Sequence, residues 1–227
     1  MGFDTDAVET LAFDSYGTIV DVTEAENALA EHVDNPNLVA KLWRNRSLGY
    51  AMVGNAIEEY EPFYGMIRQA LKYALDTQGV EVTDDEREEI LSVYHELNAF
   101  DDVRDGMERL RDAGYDLYIV SNGNPEMLES MIEHVDIGDL IEDAISTEEV
   151  EAFKPAAEVY RHAAKEIGTP AENVAFVAAG WWDVPGAIHA GMQGVWINRQ
   201  DTIWGPYAAE PDLTIESFHD LADELEA

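Results

Sequence analysis

The chain has 227 residues, with 46% hydrophobic and 10% aromatic content, enough to bury a sizeable core in one large domain or in a core carrying a smaller inserted one. Forty-eight Asp and Glu against thirteen Lys and Arg give a net charge of -35, which argues against a basic nucleic-acid-binding face, and the absence of cysteine excludes disulfides, thiolate nucleophiles and Cys-ligated zinc. The carboxylates are spread along the whole chain, so they read as a salt-adapted surface of a halophile rather than an acidic tail, its self-repulsion quieted where the Debye length falls to about 3 Å.

The N-terminal MGFDTDAVET has neither the basic start nor the apolar stretch of a secretory signal, and no run approaches the roughly 18 apolar residues of a membrane span. The expectation is a cytoplasmic protein that does not enter a membrane. Residues 8–13 then form a short apolar run, bounded by polar residues, which suits a buried strand ending at Asp14.

From residue 22 to 100 the pattern is helical. Residues 37–53, 60–78 and 84–98 are amphipathic, and Thr83 with Glu86 forms a capping box before the third of them. Strand-like runs resume at 115–120 (YDLYIV), 174–178 (VAFVA) and 195–197 (VWI). Helices are expected at 106–113, closed by Gly114, at 125–135 and 155–167, each opening on proline, and at 186–190. Strands alternating with helices predict an α/β fold: a Rossmann-like parallel-sheet core at 1–21 and 100–227, with a helical cap at 22–99 inserted after the first strand.

Ligands of open parallel sheets bind beyond the carboxyl ends of the strands. Asp14, Ser121 with Asn122, Lys154 and Asp183 all fall there. Taken singly, Asp14 also suits a turn, Ser121-Asn122-Gly123 a strand-end turn, Lys154 a surface position and Asp183 a helix cap. Their convergence favours a site.

FDSYGT, SNG, the Lys154-Pro155 pair and the late Asp183 resemble the four motifs of the haloacid dehalogenase superfamily, over nearly the whole chain. That resemblance implies a nucleophilic Asp14. Superfamily phosphatases carry a second aspartate two positions later and use magnesium; here Tyr16 stands at that position. FDSYGT, Trp43-Arg44 with Leu48 and Tyr50, Lys154-Pro155 with Val159-Tyr160, and Trp196-Ile197-Asn198-Arg199 are similar to the L-2-haloacid dehalogenases. The resemblance implies a small 2-haloacid substrate, no metal or other cofactor, and a homodimer formed partly through the cap.

By that resemblance Asp14 displaces halide from C2 with inversion, Arg44 assists the departing halide, and water hydrolyses the resulting ester. Lys154 and Asp183 keep Asp14 ionised and position the water. Ser121 and Asn122 bind the substrate carboxylate, Thr18 orients Asp14, Tyr160 contacts the site through its hydroxyl, and Tyr16, Leu48, Phe63 and Trp182 form an apolar wall, although such aromatics also suit plain core. Two departures stand out. Ala178-Ala179-Gly180 replaces a Ser-Ser-Asn run that helps hold water or the lysine, and Ser47 and Gly49 replace Gln and Glu. A magnesium-dependent phosphatase of small phosphate esters and a non-catalytic binding protein are the competing readings.

Overall fold

A computed structural model describes residues 2–206 and 209–227. Six parallel strands run in the order β3-β2-β1-β4-β5-β6, with β1 at Thr10–Phe13, β2 at Asp116–Ser121, β3 at Asp143–Ser146, β4 at Val174–Ala178, β5 at Gln193–Ile197 and β6 at Leu213–Ile215. β1 lies between β2 and β4, with Phe13 opposite Ile119 on one side and Val177 on the other. Every residue of β1 and β4 is buried, as expected for strands covered on both faces.

Strand alternation divides the core in two. Leu11, Phe13, Leu117, Ile119, Ala175 and Val177 point to one face, where Phe218 stacks on Phe13 with ring centroids 5.0 Å apart. Ala12, Val120, Phe176 and Ala178 point to the other, against Val159, Tyr160 and Val184. The two short edge strands, β3 and β6, have no apolar run long enough to betray them in the sequence.

Between β1 and β2 the chain builds α1 (Ala25–Leu29), α2 (Pro36–Ile57), α3 (Phe63–Thr77), α4 (Asp84–Ser92) and α5 (Val103–Asp112). The predicted helix at 60–78 starts later because Pro62 occupies its N-cap, and that at 84–98 stops at Ser92 and continues only as a short 3-10 turn to His95. The Thr83–Glu86 capping box is present. The chain leaves and returns side by side: Phe100 N–H donates to the Ile19 carbonyl at 3.0 Å and Asp21 N–H to Asn98 at 2.9 Å.

After β2 come α6 (Pro125–His134), α7 (Ala157–Ile167), α8 (Asp183–His189) and α9 (Phe218–Glu224). The helix expected from residue 155 begins instead at Ala157, with Pro155 in the preceding loop after a cis Lys154–Pro155 peptide. Lys154 is tied into the carboxyl edge of the sheet, so the helix forms only beyond it. Similarly, α8 begins earlier than residue 186, with Trp182 as N-cap and Asp183 in the first turn rather than at the cap. Among the described residues no helix is long and apolar enough to cross a membrane.

Candidate active site

Asp14 follows β1 directly, its N–H donating to the Val177 carbonyl at 3.0 Å. The chain then turns tightly over Ser15 and Tyr16 and through Gly17, whose φ of +103° is a conformation that side chains rarely adopt. A Cβ at Gly17 would also lie 2.9 Å from Arg44 Nη2, so a side chain there would press on the guanidinium. The turn brings Thr18 back onto Asp14. Its hydroxyl accepts the Ala179 N–H at 2.9 Å and donates to Asp14 Oδ2 at 2.7 Å, which fixes the carboxylate's orientation.

Lys154 completes the grip on Asp14. Its Nζ donates to Asp14 Oδ1 at 2.6 Å and to the Val120 carbonyl at 2.9 Å, and lies 3.0 Å from Asp183 Oδ2. Three acceptors thus meet the three donors of one ammonium. The side chains of Lys154, Asp183 and Asp14 are only 2%, 4% and 14% exposed, so two carboxylates share one cation in a dry setting. Burial alone pulls the Lys154 pKa down, but the two carboxylates outweigh it and the net direction is up. Burial raises the Asp183 carboxyl, Lys154 opposes this and Asp14 adds to it, with the net direction again upward. The other oxygen of Asp183 accepts the Tyr160 hydroxyl at 2.5 Å, and burial followed by the Asp183 charge keeps that phenol protonated.

One cavity is lined by Asp14, Lys154 and Asp183 together with Arg44, Ser121 and Asn122. Tyr16, Leu48, Phe63 and Trp182 also line it, as does Gly180. Arg44 comes from α2 and donates from Nη2 to the Tyr16 carbonyl at 2.8 Å. Trp43 anchors that turn of the helix, fully buried and donating to the Ile67 carbonyl at 2.8 Å. Burial first, then nearby Tyr94 and Asp14, drive the Tyr16 phenol well above its ordinary range, and its hydroxyl makes long contacts of 3.4 Å to the Tyr94 and Met127 carbonyls. Tyr16 is a wall residue that holds its proton.

Asn122 Oδ1 accepts the Lys154 N–H at 2.9 Å, which leaves its amide nitrogen as the donor for a ligand. Ser121 Oγ accepts the Gly123 N–H at 3.0 Å and lies 2.6 Å from Ser15 Oγ. Thr18 orients Asp14 as expected and Tyr160 contacts the site through its hydroxyl, at Asp183; neither lines the cavity itself, so both act one layer back rather than on a ligand directly. Ser15, Tyr94 and Ser47 also belong to the site or its wall, beyond the expected residues; Ser15 adjoins Asp14, and Tyr94 lies in the 3-10 turn that follows α4. At Gly180 a Cβ would lie 3.0 Å from two carbons of the Trp182 indole, so the ring fills the space that a side chain there would need. Among the described residues no group of three or more His, Cys, Asp or Glu side chains is arranged to hold a metal.

The sheet order and the charged cluster at its carboxyl edge define a Rossmann-like α/β protein with a carboxylate-centred cleft beneath a helical insertion. The model of the haloacid dehalogenase-like hydrolases matches residues 8–191, and the chain belongs to that family. It is 32% identical over 196 residues to (S)-2-haloacid dehalogenase 4A of Burkholderia cepacia, covering 86% of this chain and 85% of the relative. A crystal structure of a dehalogenase with an intermediate complex superposes with a TM-score of 0.93 at 29% identity, covering 97% of this chain and 98% of that one. An L-2-haloacid dehalogenase structure gives 0.94 at 28% identity, covering 97% and 99%.

Proposed function

We propose that this protein hydrolyses small 2-haloalkanoic acids through an ester on Asp14. The observation that carries the reading is the Asp14 carboxylate, held by the Thr18 hydroxyl and the Lys154 ammonium in a cavity that also receives Arg44. An Asp14 oxygen forms a bond to C2 as the carbon–halogen bond breaks, and halide leaves with the bonding pair toward Arg44. Halide is a weak base and needs no proton, so the neutral Tyr16 costs the reaction nothing. Water then adds to the Asp14 carboxyl carbon, the C–O bond to the carboxyl carbon breaks, and the 2-hydroxy acid departs with the former Asp14 oxygen. Asp183, with its raised basicity, accepts one proton of the water and passes it to the departing alkoxide oxygen, while the water's second proton goes to solvent as Asp14 is regenerated.

Ser121 and Asn122 hold the substrate carboxylate, and Leu48, Phe63 and Trp182 exclude water from C2. The same proposal takes residues 22–99 as a cap on a core of residues 1–21 and 100–227, supported by the paired crossing at Ile19–Asp21 and Asn98–Phe100. Leu38, Met52, Val53 and Ile57 are exposed along α2, which supports a homodimer through the cap, and the net charge of -35 supports a salt-rich cytoplasm. The test is bromide release from L- and D-2-bromopropionate in multimolar KCl with chelator, for the wild type and Asp14→Asn. Enantioselective release lost in the variant supports the reading. No release, alongside magnesium-dependent hydrolysis of phosphate esters, assigns the chain to phosphatase chemistry instead.

A further inference from the structure

The peptide linking Phe153 to Lys154 is gripped from two sides. Its N–H donates to Asn122 Oδ1, on the core side, at 2.9 Å. Its carbonyl accepts from Asn55 Nδ2 of α2 at 2.7 Å, and Asn55 Oδ1 accepts the preceding N–H, that of Phe153, at 2.8 Å. One side-chain amide from the helical insertion therefore satisfies both backbone groups of Phe153, which lies 98 positions away. The Phe153 ring is fully buried against insertion aromatics, stacked on Tyr60 with centroids 5.1 Å apart and tilted against Phe63 at 5.8 Å. A side-chain ring and a two-point amide clamp thus seat one residue of the core loop inside the insertion, and the next residue is Lys154.

We infer that Asn55, with the Phe153 plug, is a positioning residue that sets the Lys154 ammonium against Asp14 and Asp183. Moving α2 away from the core at this edge would carry the Phe153–Lys154 peptide with it and draw Nζ out of its three contacts. The insertion then serves the chemistry beyond supplying Arg44 and a roof: it holds the lysine loop in register. The inference rests on the proposed pairing of Lys154 with Asp14.

The experiment compares Asn55→Ala, Lys154→Ala and a control, Asn37→Ala, whose side chain instead bonds Glu26 at the exposed surface of the insertion. Bromide release from 2-bromopropionate is followed across pH, with melting curves in the same salt. The Lys154 ammonium faces Asp14, Asp183, the Val120 carbonyl and, at 5.4 Å, the Phe176 ring, so loosening it weakens the positive charge that opposes the upward shift of the Asp183 carboxyl. The expected result for Asn55→Ala is a kcat lower by about tenfold or more and an acidic limb of kcat/KM moved upward by about half a pH unit or more, with Asn37→Ala unchanged in both. Asn55→Ser, able to make one of the two bonds, falls between, and carries the test should Asn55→Ala not fold. An Asn55→Ala limb that coincides with the wild type overturns the inference, whether or not the melting temperature drops. Should Lys154→Ala itself retain wild-type turnover, the functional reading fails as well, and the two failures are thereby told apart.

Discussion

Replacing Lys154 by methionine keeps the length of the side chain and removes the cation from between two buried carboxylates. Nζ lies 2.6 Å from Asp14 Oδ1 and 3.0 Å from Asp183 Oδ2, so those oxygens stand no more than about 5.6 Å apart. At an effective dielectric of about 20, two charges at that spacing repel by about 3 kcal/mol. That figure sits at the lower edge of the roughly 3–5 kcal/mol lost when one partner of a buried pair is removed. For a chain of this size about 3 kcal/mol lowers the melting temperature by about 6–12 °C. A carboxyl whose folded pKa is raised stabilises the fold below its unfolded value and loses that contribution as pH rises through the folded one. The Lys154→Met deficit is therefore smallest at acid pH and grows as pH rises through the raised pKa of Asp183. Adding Asp183→Asn relieves the repulsion and returns most of the lost melting temperature, though not activity. Calorimetry in constant multimolar KCl at several pH values provides the assay. A deficit of equal size at all pH values, or none at all, would refute the electrostatic reasoning.

Tyr160→Phe removes the phenol donor from buried Asp183, and is expected to destabilise by about 1.5–3 kcal/mol, the range for a hydrogen bond to a charged group; its turnover should fall, with KM nearly constant, in steady-state bromide release. Burial pushes the Asp102 carboxyl up, but Arg199 and the Phe218 N–H together hold it below its ordinary range. Its contribution is present above the unfolded pKa and lost as pH falls through the folded one, so Asp102→Asn should flatten the acid side of the melting-temperature curve. Gly180→Ala sets a methyl carbon against the Trp182 indole and should lower kcat/KM for 2-bromopropionate more than for bromoacetate; equal loss on both acids would speak against Trp182 as the wall on the substrate's alkyl side. Finally, a surface of charge -35 repels an anionic substrate, so kcat/KM should rise with KCl until the folded state is saturated, as stopped-flow bromide release at fixed folded fraction can check.

Much of this site was legible because strand ends are legible. Apolar runs at β1, β2 and β4 placed Asp14, Ser121 and the Asp183 loop at one edge before any contact was known, and a parallel sheet forces such residues together. The helical insertion showed itself by the change of hydrophobic period from residue 22 onward. What stayed hidden depends on register and on distance in the chain. β3 and β6 are edge strands of four and three residues, too short to carry a recognisable apolar run. Asn55 looks like any polar residue on an amphipathic helix, and its clamp on Phe153 exists only once α2 meets a loop 98 positions away. Sequence marks the proximity of Thr18 and Tyr160 to the site but not the layer each occupies, one behind Asp14 and the other behind Asp183.

Ester formation on Asp14 is read from one turnover in water enriched in oxygen-18, with enzyme in excess over L-2-bromopropionate. The expected result is an unlabelled 2-hydroxy acid and one heavy oxygen in the peptide bearing Asp14, found by mass spectrometry. Label in the product's hydroxyl on that first turnover, with Asp14 unlabelled, would mean that water displaces halide directly and that no ester forms.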